Sequence, residues 1–114
     1  MIRAVLYQTG GRLTGFSVRG HAGYAPEGSD IVCAAVSVLT TTCVNALESV
    51  AGVVPEVNGG TDGYLEATLP ENSPAPAARD AQVLMQALRQ GLSDLARAYP
   101  RYIRFSIQER RETP

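Results

Sequence analysis

Two stretches with helical apolar spacing, set among five short strand-like ones, constrain the fold of this chain most. In residues 31–50, Val32, Ala35, Val36, Leu39, Cys43, Ala46, Leu47 and Val50 recur at intervals of three and four. That spacing predicts a mostly buried helix with Asp30 as its N-cap. Residues 77–99 repeat the pattern with Val83, Leu84, Ala87, Leu88, Leu92, Leu95 and Ala96, and Pro100 ends this second, amphipathic helix. Residues 1–8, with Ile2, Ala4, Leu6 and Tyr7, and 13–18, with Leu13, Phe16 and Val18, read as strands joined by Thr9-Gly10-Gly11-Arg12. Val53, Val54 and Val57 lead through Asn58-Gly59-Gly60-Thr61-Asp62-Gly63 into residues 64–69, a second hairpin. Residues 70–76 break the chain, and residues 102–107 form a last strand. The order ββαββαβ predicts one α+β domain over residues 1–114, with a mixed or antiparallel sheet and both helices packed on one face. The polar, Arg-rich tail from Gln108 onward is expected to fray.

The size of the chain, 114 residues with 45% hydrophobic side chains, suits one buried core. A formal charge of −1 gives the whole molecule no field to draw it onto nucleic acid or an anionic membrane, so no direct nucleic-acid binding is expected. Every basic residue is Arg; Arg101, Arg104, Arg110 and Arg111 gather near the C-terminus, which reads equally as a small basic patch or as a solvated strand face and tail. The N-terminal segment lacks the charged and apolar regions of a secretion signal. Gly, Pro or charge is taken to interrupt each apolar run short of the roughly 20 residues that span a bilayer. A cytoplasmic location, with Cys33 and Cys43 kept as thiols, is the expectation.

The chemistry concentrates in Gly20-His21-Ala22-Gly23-Tyr24-Ala25 and Gly28-Ser29-Asp30-Ile31-Val32-Cys33-Ala34-Ala35-Val36-Ser37, which hold the only His of the chain. With Asp30 as cap, Cys33 falls in the first helical turn, where unpaired amides and the positive end of the helix dipole favour a thiolate. The Gly-rich loop lets His21 fold back toward the sulfur as general base. Amides of the helix start or of the loop glycines are both candidates to hold a developing oxyanion. Ser37, one turn past Cys33, projects on nearly the same face as a supporting group. Asp30 either positions the site structurally or orients His21. Cys43, amid Val44, Ala46 and Leu47, suits burial instead. One His and two Cys on different helix faces do not make a zinc ligand set, so no metal is expected. Val57, Tyr64, Leu65 and Ile103 are candidates for binding an extended peptide.

The two quoted segments resemble the signature of the ribosomal-processing cysteine protease (Prp) family. The likeness extends through residues 88–104, with Gly91-Leu92 and Tyr99-Pro100, and covers essentially the whole chain. It implies an α+β homodimer that needs no cofactor. It implies a protease that removes a short N-terminal extension from a large-subunit ribosomal protein precursor. Cys33 carries over as nucleophile, His21 as base, and Gly20, Asp30 and Ser37 as the remaining motif positions. The loop with Ala22, Gly23, Tyr24 and Gly28 becomes a mobile flap over the substrate.

Two other readings compete. In a non-catalytic ribosome-associated module the helix start binds an anion and Cys33 is inert. A thiol redox sensor would need a resolving partner, for which Cys43 is badly placed.

Overall fold

The computed structural model describes residues 1–61 and 63–110. Alternation along β1 (Ile2–Thr9) buries Ile2, Ala4 and Leu6 on one face. β2 (Arg12–Arg19) pairs antiparallel with β1 through the predicted hairpin, with an irregularity between Tyr7 and Gln8. Beyond it, the side chain of Gln82 donates to the Leu13 carbonyl at 2.7 Å and accepts the Leu13 N–H at 2.9 Å, supplying the bonds that a strand neighbour would otherwise make. β3 (Glu56–Thr61), β4 (Tyr64–Thr68) and β5 (Ile103–Glu109) complete a five-stranded sheet in the order β3-β4-β2-β1-β5. β5 runs parallel to β1 and the other pairs are antiparallel, so the sheet is mixed.

Helices α1 (Ile31–Ser49) and α2 (Ala75–Ala98) pack on the sheet, giving the expected α+β architecture. The core joins Val32, Val36, Cys43 and Leu47 of α1, Met85, Leu88 and Leu92 of α2, and Ile2, Leu6, Phe16 and Ile103 of the sheet. Gly91 lets the helices approach, since a Cβ there would stand 2.9 Å from both terminal methyls of Leu39.

Several local expectations change. Asn58 to Thr61, read as turn, belong to β3. Gly59 and Gly60 take φ values of 85° and 107°, and the register shifts between Gly59 and Thr61 while pairing with β4 continues. Glycine permits this bulge where other residues would end the strand. Asp62 of that turn lies outside the described residues. Gln108 and Glu109 do not fray: β5 pairs with β1 as far as Glu109, and the Arg110 N–H donates to the Gln8 carbonyl at 2.7 Å. Arg110 also stacks 3.4 Å from the Tyr7 ring centre, while Arg104 is exposed on β5. Arg111 lies outside the described residues.

Pro76 sits in the first turn of α2, where a missing N–H costs nothing. Val83, placed on the apolar face by spacing, is 63% exposed. It lies two positions from Met85, about 200° round the helix, and Met85 fills the core instead. Ala87 is likewise exposed. Val50 follows the end of α1 as its C-cap and is exposed. No Gly, Pro or charge interrupts the chain from Ile31 to Leu47, and by length and composition α1 is apolar enough to cross a membrane. Here one stripe of α1 faces the core, while Ile31 and Val38 are exposed beside small and hydroxyl side chains.

Candidate active site

Cys33 owes its place to one carboxylate. Asp30 adopts an extended backbone, ends the loop and caps α1: its Oδ1 accepts the N–H groups of Val32 and Cys33, each at 3.0 Å. Its Oδ2 accepts those of Tyr24, at 3.0 Å, and Ala25, at 3.3 Å. One buried side chain therefore fixes the helix start and the preceding loop to each other. The Cys33 N–H, with those of Ala25, Tyr24 and Val32, holds the Asp30 carboxyl below its ordinary value of 3.8, against the opposing effect of burial. Of the two roles read from sequence for Asp30, these bonds match structural positioning. They also occupy two amides of the helix start that sequence offered to an oxyanion.

The loop returns to the sulfur. The Ala22 N–H donates to Cys33 Sγ at 3.3 Å, and the Ala22 methyl is buried in the core. His21, immediately before, is exposed and lines the same cavity of about 750 Å³ as Cys33. Among the described residues no hydrogen bond joins His21 to Cys33, and catalytic bonds often close only when substrate is bound. Gly20 ties the loop to the second hairpin, its N–H donating to the Gly63 carbonyl at 2.8 Å.

Ser37 is exposed and lines the cavity, but its side chain makes no hydrogen bond to either partner among the described residues. Gly23 and Gly28 line the cavity with positive φ. Tyr24, read as part of a flap, is anchored: its ring packs edge-on against Tyr99 and Tyr102, with centres 5.9 and 5.1 Å away, and its N–H is held by Asp30. Between Pro26 and Ser29 the chain closes a turn of its own. Cys43 is buried against Met85, and burial pushes its thiol up to about 11.

Of the apolar positions proposed for peptide contact, Val57, Tyr64 and Leu65 line the cavity and Ile103 is buried in the core. The Tyr64 hydroxyl donates to Glu66 at 2.6 Å, and this bond raises its pKa. Gly59, Gly60 and Gly63 also line the cavity, a contribution that sequence reading assigned only to a turn. Among the described residues, no three His, Cys, Asp or Glu side chains gather to hold a metal.

A thiol at a capped helix start that shares a cavity with an imidazole is an arrangement that nucleophilic thiol chemistry can use. The chain belongs to the Cysteine protease Prp family, whose model matches residues 1–104. It is 33% identical over 101 residues to the ribosomal processing cysteine protease Prp of Bacillus subtilis, covering 87% of this chain and 90% of that one. Among solved structures it resembles SMU.848 from Streptococcus mutans, at a TM-score of 0.83 and 33% identity, with 96% of each chain covered. It also resembles the essential ribosomal processing protease Prp from S. aureus in complex with a covalently linked product peptide. That match has a TM-score of 0.83 and 25% identity, and covers 94% of this chain and 99% of that one.

Proposed function

We propose that this protein is a cytoplasmic cysteine endopeptidase, acting as a single domain in a homodimer, that removes the N-terminal extension of a large-subunit ribosomal protein precursor. The observation that carries the reading is the Cys33 thiol, set in the first turn of α1, taking the Ala22 N–H and opening into the cavity that His21 also lines. A cavity of about 750 Å³ is of the size that encloses a small ligand or a short peptide segment, about 300–1,000 Å³. The processing proteases that the chain resembles, one of them captured with a linked product peptide, support a peptide as the occupant.

The Cys33 thiolate attacks the scissile carbonyl. The Ala22 N–H, which donates to the sulfur, is one donor beside the reacting atoms for the developing oxyanion. His21 gives its proton to the leaving amine, then takes one from the water that hydrolyses the thioester. The chemistry needs no metal or cofactor, and the substrate is protein, not nucleic acid. The test is to mix the protein, and separately its Cys33→Ala variant, with the ribosomal protein precursor of the same organism and to weigh the products. One defined N-terminal cut by the unmutated protein alone supports the reading. If neither protein cuts a precursor that carries an extension, an inert binding module is the better account.

A further inference from the structure

We propose that Gly63, in the turn between β3 and β4, is a positioning residue for His21: its bare Cα is the wall against which the imidazole rests. The inference rests on the reading of His21 as the catalytic base. A Cβ at Gly63 would lie 2.9 Å from His21 Nε2 and 2.9 Å from the Gly20 carbonyl oxygen, closer than side chains approach, and 3.0 Å from Cε1. The turn is held at this distance by the hydrogen bond from the Gly20 N–H to the Gly63 carbonyl, so backbone and ring are gripped together. His21 itself is exposed, and an exposed imidazole on a loop otherwise samples several rotamers. A backbone wall removes those directed toward the hairpin and leaves the ring over the cavity, where a misplacement of about 1 Å costs on the order of 100-fold in rate.

Gly63 also has a φ of 70°, so a substitution strains the backbone as well as crowding the ring. The chain carries its own control for that strain. Gly52 has the same φ of 70°, with nothing within 4 Å of a Cβ built on it. Asparagine supplies a second separation, because it tolerates the left-handed backbone better than alanine while still carrying a Cβ.

The experiment measures kcat and KM on the precursor for the unmutated protein and for Gly63→Ala, Gly63→Asn, Gly52→Ala and Cys33→Ala. It also follows the Cε1–H resonance of the chain's single His. Both Gly63 variants are expected to lower kcat on the order of 10- to 100-fold with KM little changed, and to move the His21 resonance. Gly52→Ala leaves kcat and the resonance as they are. Gly63 variants that match Gly52→Ala in kcat overturn the proposal. So does a fall in kcat with an unmoved resonance, which places the loss in the cavity wall that Gly63 also forms and not in a displaced ring. Cleavage by Cys33→Ala overturns the protease reading itself, whereas an inactive Cys33→Ala beside fully active Gly63 variants removes only the role of Gly63.

Discussion

Cys33 and Cys43 stand on one helix in opposite surroundings. At the start of α1 the sulfur is half-buried, meets a backbone N–H from a loop and opens into a cavity. In the middle of α1 the sulfur is buried against Met85 and the second helix, and burial pushes its thiol up to about 11. The helix is the same; what differs is the distance from its free end and whether chain or core faces the side chain. At the helix start a loop N–H reaches the sulfur, and in the helix interior only low-dielectric packing surrounds it. Under the proposed function, reactivity is separated from stability along a single element, and substitutions at the two positions should separate the two properties as well.

The largest expected contrast is in turnover. Cys33→Ala should lower cleavage of the precursor by on the order of 1,000-fold or more, since removing a nucleophile leaves only binding and oxyanion contacts. Cys43→Ala should leave kcat unchanged, because nothing ties its sulfur to the cavity. Equal losses from the two variants in the same assay would break the distinction. A smaller but direct contrast lies in thiol chemistry. At pH 8, a thiol titrating at about 11 is ionised in about one molecule in a thousand and is shielded from reagent besides. Limited alkylation of the folded protein should therefore add one label, at Cys33, and alkylation in denaturant should add two. Mass spectrometry after a time course checks this, and equal labelling of both thiols in the folded protein would count against it.

The ease with which each part is read from sequence follows the same divide between local and distant causes. The Asp30 cap, the first-turn place of Cys33 and the burial of Cys43 follow from residues within a few positions of one another, and the chain adopts them as spacing indicates. The hairpins and helices also follow from period, with errors where the outcome depends on a partner strand or facing helix. β3 continues through Gly59 and Gly60 because β4 holds it, and β5 continues to Glu109 because β1 does. The approach of Gly63 to His21 joins segments some forty residues apart, and no local pattern marks it. Tyr24 shows the converse: the loop composition suggests freedom, while Tyr99 and Tyr102 of a distant connection hold the ring.

Stability should rank the cysteines in the reverse order from activity. Truncating the buried Cys43 leaves a small void beside Met85 and should cost about 1 kcal/mol, in the range of other small deletions from a core. Cys33→Ala removes a half-buried sulfur and should cost less. Denaturant unfolding of the two variants measures both. A larger loss at Cys33 would mean that its contact with Ala22 holds the loop together, making the sulfur a structural as well as a chemical group.

Asp30 links the two regimes, and its two oxygens can be separated. Asp30→Asn keeps an oxygen to cap α1 but replaces one of the two acceptors, so the N–H groups of Tyr24 and Ala25 lose their partner. Asp30→Ala removes both functions. Asparagine should thus retain most of the melting temperature while lowering kcat, and alanine should lower both. Acid provides the finer test. The native state holds the Asp30 carboxyl below 3.8, so its contribution is present above that pH and is lost as pH falls through the lower native value. The unmutated protein should lose stability over that acid window relative to Asp30→Asn, whose amide does not titrate, and the difference between their melting temperatures should narrow as pH drops. A difference that stays constant down the window would place the effect of Asp30 in its shape and hydrogen-bond count, with no part for its charge.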